Sequence, residues 1–360
     1  MSPLSLKVSL TSLDDPAQVA SRWRKLEARS DSNSFFLGWT WTGSWLSATG
    51  ARPDLLAIKR DGDDIALALL GRSVTRRPFG REPALFLNQS GQAGPDRAFI
   101  EYNGLLTIRG FPAERAAALV LDHLSGLDRW TVLRVPGVER GLPLAQAGDF
   151  RRRTLVSELP AYYVELDLVR QAGGDYLSLL SPNSRSQIRR SSRHYGEPRL
   201  EKAASIEEAD TWLADMRRLN QERHRDNAWE EPLFRSFVRE LVAQGLANGE
   251  VELLRIGTES QLLGYLLNFL YRGRAMNYQS AFAPSISAKA KPGLMCHCAA
   301  VERYAAQGYV LYSLLAGKDR YKQSLSTGHE VLQWWNLERF SPALEAEHVL
   351  RKVLKRPASA

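Results

Sequence analysis

Residues 251–322, VELLRIGTESQLLGYLLNFLYRGRAMNYQSAFAPSISAKAKPGLMCHCAAVERYAAQGYVLYSLLAGKDRYK, carry the pattern that decides the fold. Three apolar runs come first: Val251–Gly257, Gln261–Arg272 and Ala275–Ala283. The links between them, Thr258-Glu259-Ser260 and Gly273-Arg274, are hairpin-sized and polar or glycine-bearing, so three antiparallel strands in a meander are expected. A loop of small residues and lysine, Pro284–Lys291, ends at Pro292-Gly293, where a helix starts. Proline suits a first helical position because its missing N–H would be unpaired there. Leu294, Cys298, Val301 and Ala305 recur at helical spacing, and Gly308 stands where a left-handed residue would stop the helix. Tyr309–Ala316 then reads as a strand covered on both faces. The polar cluster Gly317, Lys318, Asp319, Tyr321 and Lys322 follows directly.

Free N–H groups at a helix N-terminus favour anions, and a glycine there admits close approach. Pro292-Gly293 with Lys289 and Lys291 therefore reads either as a phosphate seat or as an ordinary proline-started surface helix. The cluster beyond the buried strand has the types that acyl transfer needs: a base, an oxyanion partner and a proton for the leaving group. Asp319 could be base or orienter, Tyr321 the acid and Lys322 the cation. The alternative is a helix N-cap at Asp319 followed by surface charges. Asn183–Tyr195 reads as a basic helix capped by Ser181, with Arg185, Arg189 and Arg193 four apart on one face. That face meets an anionic ligand, an acidic protein surface or solvent. Glu207–Arg225 reads as a long helix whose end carries His224, a proton acceptor or a surface histidine. Glu101-Tyr102-Asn103-Gly104 is a polar insert that could face a cleft.

The chain has 360 residues, enough for two domains, with a net charge of +8 that permits an anionic ligand without demanding one. The start, MSPLSLKVSLTSLDDP, shows no basic segment before an apolar core, and the apolar run in Leu262–Tyr271 is short and broken by Asn268. A cytoplasmic protein without a membrane span is expected. Cys296 and Cys298 flank His297; residues two apart on a helix diverge, so core packing and no metal is the expectation. In the first half, Pro16–Glu27, the aromatic Ser34–Ala48 and Ala113–Leu124 read as helices. Asp54–Arg60 with Asp64–Gly71 reads as a hairpin. Leu85–Asn88, Leu105–Ile108, Thr131–Val135 and Tyr162–Leu168 read as strands. The aromatic stretch fits core packing or a binding platform.

Taken in order, SPNSRSQIRRSSRHYG (181–196), NQERHRD (220–226), LLGYLLNF (262–269), KPGLMCHCAAVERYAAQGY (291–309) and GKDRYKQSLSTG (317–328) resemble the GNAT acyltransferase core. The nearer likeness is to the CelD-like branch linked to cellulose biosynthesis, the more distant one to Fem-type peptidyltransferases. The resemblance covers residues 175–340 well and the N-terminal half weakly. The usual pyrophosphate loop has Gln or Arg, two residues, Gly, one residue, then Gly or Ala; here Lys291-Pro292-Gly293 stands in its place. DLLAIKRDGDDIALAL (54–69) lies over ELLRIGTESQLLGYLL (252–267) without a gap. The implied fold is α/β (α+β), two tandem GNAT-like units, each a mixed, mostly antiparallel sheet flanked by helices. Residues 1–160 would form a degenerate, acceptor-side unit, 161–345 the acyltransferase unit, and 346–360 a helix end and tail.

The implied activity is N- or O-acetyl transfer from acetyl-CoA or another acyl-CoA to a small-molecule, sugar or polysaccharide-precursor acceptor. Alternatives are Fem-like transfer from aminoacyl-tRNA and an inert scaffold in polysaccharide synthesis. The donor would sit at Lys291, Pro292, Gly293 and Leu294. Substrate would meet Glu101, Asn103, Arg185, Arg189, His224 and Tyr278. The Fem-type likeness points most directly to Lys322, since those enzymes place a lysine after an aromatic residue there.

Overall fold

A computed structural model of the chain describes residues 6–221, 227–287 and 289–354. The first half runs β1 (Leu6–Thr11), α1 (Pro16–Glu27), α2 (Trp39–Thr49), β2 (Asp54–Arg60), β3 (Asp63–Arg77), β4 (Gly80–Leu87), β5 (Leu106–Thr107), α3 (Ala113–Ser125), β6 (Val132–Glu139) and α4 (Pro143–Gln146). Next come β7 (Arg152–Glu165), α5 (Leu166–Gln171), α6 (Pro182–Tyr195), β8 (Arg199–Lys202), α7 (Ile206–Asn220) and α8 (Pro232–Asn248). The second half closes with β9 (Val251–Gly257), β10 (Leu262–Tyr271), β11 (Arg274–Phe282), α9 (Pro292–Ala306), β12 (Leu311–Ala316), α10 (Arg320–Leu325), β13 (Gly328–Glu338) and α11 (Pro342–Leu354).

Local chemistry accounts for several boundaries. Asp15 caps α1 by accepting from the Ala17 and Gln18 amides, both at 3.0 Å, and the helix buries Val19, Trp23 and Leu26 at helical spacing. Ser181 caps α6 by accepting from the Ser184 amide at 3.2 Å. The aromatic stretch packs as core: Phe35, Phe36, Trp41 and Trp45 are buried, and Phe35 stacks on Phe269 of the other half at 4.2 Å.

Among the described residues the strands form one sheet in the order β1-β2-β3-β4-β6-β13-β7-β12-β11-β10-β9-β8, with β5 on β3. Two copies of one unit make it. In each, four antiparallel strands (β1 to β4; β8 to β11) are followed by a helix (α3; α9) and a strand parallel to the fourth (β6 on β4; β12 on β11). The last strands are exchanged. β7 leaves the first unit to pair with β12, β13 leaves the second to pair with β6, and the two pair with each other in the middle. The expected tandem, mostly antiparallel α/β fold is therefore present, with its units fused into one sheet. The ungapped overlay matched equivalent strands, β2–β3 on β9–β10.

One face of this sheet buries a core shared by both units, with Leu55 and Leu69 from one and Leu253, Phe269 and Leu315 from the other. The opposite face carries a separate core for each unit, under α3 and under α9.

Some expectations need correction. The strand read over Tyr162–Leu168 starts at Arg152 and stops at Glu165; Leu166 and Val169, three apart and buried, belong to α5. Its charged start hid it, yet Arg152 is neutralised there by Glu338 at 2.6 Å. Strands β8 and β13 and helix α8 were not anticipated. The helix read over Glu207–Arg225 is described as α7 to Asn220; His224 lies outside the described residues. Position 160 falls inside β7 and position 345 inside α11.

Candidate active site

The parallel pairing of β11 with β12 is confined to Arg274–Met276 against Leu311–Ser313. Beyond it the two strands continue apart, to Phe282 and Ala316. On the other side, the register of β12 against β7 slips between Ser313 and Ala316, and Leu315 adopts a left-handed φ of 58°. That conformation costs a non-glycine residue about 1–2 kcal/mol; burial of the Leu315 side chain offsets it. Past the bulge Ala316 is again in register with Ala161 of β7, and its own peptide groups bond to side chains. Its amide donates to Glu101 Oε2 at 2.8 Å, and its carbonyl accepts from Lys322 Nζ at 2.8 Å. A carboxylate from the first unit and an ammonium from the second thus hold one residue at the strand end.

Burial governs the charges here. It lowers the pKa of Lys322, opposed by Glu101 and Asp319, and raises that of Glu101, opposed by the Ala316 amide and Lys322. Burial, then Asp319, raises the Tyr321 phenol, which stays protonated. The Tyr321 ring stacks on His297 at 5.6 Å. His297 is fully buried, with Nδ1 2.9 Å from the Tyr312 hydroxyl, and its pKa is pushed down to about 3 by burial and then Lys322. It is a neutral imidazole, and Nε2 has no hydrogen-bond partner. A side chain at Gly317 would fall 2.9 Å from Lys322 Nζ and 3.1 Å from Asp319 Oδ2, so its absence makes room for both. The Tyr102 hydroxyl faces Glu330 and Ser313, and burial raises its pKa.

The structure brings Asp319, Tyr321, Lys322 and Glu101 together. Asn103 does something else. Its amide donates to the Leu87 and Pro136 carbonyls at 3.0 and 2.9 Å, and its oxygen accepts from Asn88 Nδ2 and the Gly104 amide at 2.7 and 2.8 Å. With all four hydrogen bonds used, it fixes the loop that delivers Glu101. Tyr278 is part of the shared core, donating to the Ala98 carbonyl at 2.7 Å and stacking on Phe269 at 4.9 Å. Arg185 donates to the Ser178 carbonyl at 3.1 Å. Arg189 and Arg193 line a groove between α6 and α9 that also holds Glu197 and Glu302. At the start of α9, Pro292 and Leu294 are buried and Lys291 is exposed, its amide donating to Ser191 Oγ at 2.9 Å. The space beside Gly293 is occupied: an added Cβ would fall 2.9 Å from the Phe282 ring. Among the described residues no group of His, Cys, Asp and Glu could hold a metal ion, and Cys296 and Cys298 are buried thiols.

Sequence reasoning missed Glu330, Ser313 and His297 as members of this cluster. Glu330 lies on the unanticipated β13. His297 was read only as core, and its link to Tyr312 and Tyr321 crosses three elements.

Residues 182–323 match the family model described as acetyltransferase (GNAT) domain. No curated protein matches the sequence. Among solved structures, FemX superposes with a TM-score of 0.59 at 10% identity, over 92% of this chain and 98% of that one. The C-terminal domain of a putative lysylphosphatidylglycerol synthetase from Agrobacterium fabrum gives 0.57 at 11% identity, over 94% and 98%. L-PGS from Bacillus licheniformis gives 0.53 at 10% identity, over 95% and 98%. At such identities the likeness is one of fold, spanning both units. The splayed parallel strands, the helix that follows them and the match to the acetyltransferase (GNAT) domain model coincide in the second unit, within a two-unit fold shared with FemX.

Proposed function

We propose that this protein is an acyl-CoA-dependent N- or O-acyltransferase, most simply an acetyltransferase, acting on a small-molecule, sugar or polysaccharide-precursor acceptor. The observation that carries the reading is Lys322, a buried ammonium on the Ala316 carbonyl at the splayed end of β12. In this low-dielectric position its charge stabilises the negative charge that develops on the acyl oxygen or leaving thiolate. Tyr321, held protonated by burial, gives its proton to the leaving group. Asp319 orients the acceptor or takes its proton. The first unit, residues 1–160, supplies the acceptor side through Glu101, and residues 161–345 bind the donor.

The donor phosphates sit on the free amides opening α9, which has no side-chain cap, with Lys291 beside them. Because Phe282 fills the space at Gly293, a bulky residue there would disturb packing. Lys291→Glu is the cleaner test, and about tenfold weaker acyl-CoA binding is expected. A thermal-shift series with acetyl-CoA, longer acyl-CoAs and CoA tests the donor; a ligand at 100 times its Kd stabilises by about 2.7 kcal/mol. If none stabilises and tRNA does not bind either, the inert-scaffold reading takes over.

The fold shared with FemX over both units supports a second reading, Fem-like transfer from aminoacyl-tRNA. Tight binding of tRNA that falls steeply with salt, without a shift by acyl-CoA, would select it.

A further inference from the structure

One feature that the proposed chemistry leaves unused lies on the shared-core side, between α1, α2 and the end of α8. There a cavity of about 560 Å³ is lined by Leu13, Val19, Arg24, Trp39, Leu46 and Arg52, among others. It shares no lining residue with the Lys322 cluster, and its size falls in the range of small-molecule sites.

Its walls are held in place. The Trp39 amide donates to Glu27 Oε2 at 2.8 Å. The Trp39 ring lies against Gly43, where an added Cβ would fall 2.6 Å from it. That packing lays the indole along α2 as a wall and leaves the space open. Two guanidinium groups border the apolar lining. Arg24 sits over the Trp39 ring, 5.7 Å from its centre, and Arg52 donates to the neighbouring Ala51 carbonyl at 3.3 Å. Among the described residues neither pairs with a carboxylate, although the chain's other arginines form numerous ion pairs. The acids of the adjoining groove, Glu27 and Glu250, are engaged by Tyr271 at 2.7 Å and by Thr40.

We propose that this cavity is a binding site for an apolar anion of fatty-acid type. The apolar body lies among Leu13, Val19, Trp39 and Leu46, and the carboxylate meets Arg24 and Arg52. Exposed arginines without acidic partners keep an attractive field for an anion, and apolar walls reward a hydrocarbon body over a small inorganic ion. This goes beyond the acyl-transfer reading and does not depend on it.

Dodecanoate is a suitable probe, read by intrinsic tryptophan fluorescence and by thermal shift, with dodecanol as its neutral counterpart. Dodecanoate should bind the wild-type chain saturably. The double variant Arg24→Glu/Arg52→Glu should weaken dodecanoate at least tenfold and leave dodecanol within about twofold. Ser47→Trp, at an exposed lining position, should abolish both in a chain that still melts cooperatively. Absence of dodecanoate binding overturns the proposal. So does binding that Ser47→Trp leaves intact, which would place the probe elsewhere. Loss of both probes in the charge-reversed variant, in a chain that still melts cooperatively, would remove the carboxylate part.

Discussion

The two units share a plan and differ where it matters. Each has a bulge in the strand that runs parallel to its fourth strand. In β12 the slip lies between Ser313 and Ala316; in β6 it lies between Val135 and Val138. The second bulge residue is left-handed in both, Leu315 at φ 58° and Gly137 at φ 63°. In the second unit Ala316, just past the bulge, meets Lys322 and Glu101. In the first it is plugged. A Cβ at Gly137 would fall 2.4 Å from the Ile100 carbonyl, and the Gly137 carbonyl accepts from the Asn103 amide at 3.0 Å. The same loop that fills the first opening carries Glu101 into the second. One splayed strand end thus stays open to side chains, and the other holds the loop that reaches it.

The largest expected effect comes from erasing that difference. Gly137→Leu copies the residue of the second unit into the first, adding left-handed strain and a backbone collision. It should cost about 3 kcal/mol or more in denaturant unfolding. A cost under about 1 kcal/mol would mean that the loop is not seated on the bulge. Next is Lys322→Met, which keeps the stem and removes the charge. Turnover should fall on the order of 100-fold while donor affinity changes little, because the interaction strengthens only as charge develops. Near-normal turnover would leave the two bulges chemically equivalent.

A third test uses His297, whose counterpart helix α3 turns Ala116 and Ala117 to its core. Folding depresses the His297 pKa from 6.5 to about 3. The unfolded chain therefore binds the proton more readily, and the stabilisation present above pH 6.5 is lost as pH falls towards 3. The slope should approach about 1.4 kcal/mol per pH unit below pH 6 from this group. Unfolding titrations of His297→Phe should show that component gone, and an unchanged slope would place the imidazole in a solvated environment. The smallest effect belongs to Arg189→Glu, on a surface with no obvious counterpart in the first unit. Stability should change by less than about 0.5 kcal/mol. Donor or acceptor binding should weaken by less than about tenfold and become less salt-dependent. If neither binding changes, the row is a solvated face.

Much of the frame was legible in the chain. Periodicity and turn residues located the strands from Val251 to Ala283 and the helices at Pro16 and Pro292 within a residue or two. These patterns are written by local geometry and by which side faces the core. The candidate trio Asp319, Tyr321 and Lys322 could be named because its members are neighbours after a buried strand. Strands β7 and β13 could not be read so easily. RRRTLVSELP looks like a surface segment until Arg152 finds Glu338 and the two strands pair in the middle of the sheet.

By itself the sequence determined the order of elements from β9 to β12, the duplicated hairpins and the lysine beyond the buried strand. Only the tertiary structure decided that the last strands change places and that Glu101 crosses between units to hold Ala316. It likewise decided that Asn103 is a clamp and that Phe282 occupies the space at Gly293. The physical reason is one of range. Propensity and periodicity act over a few residues, whereas Glu101 and Ala316 are 215 positions apart in the chain. Their meeting depends on two bulges, a strand exchange and a buried loop that no local pattern encodes.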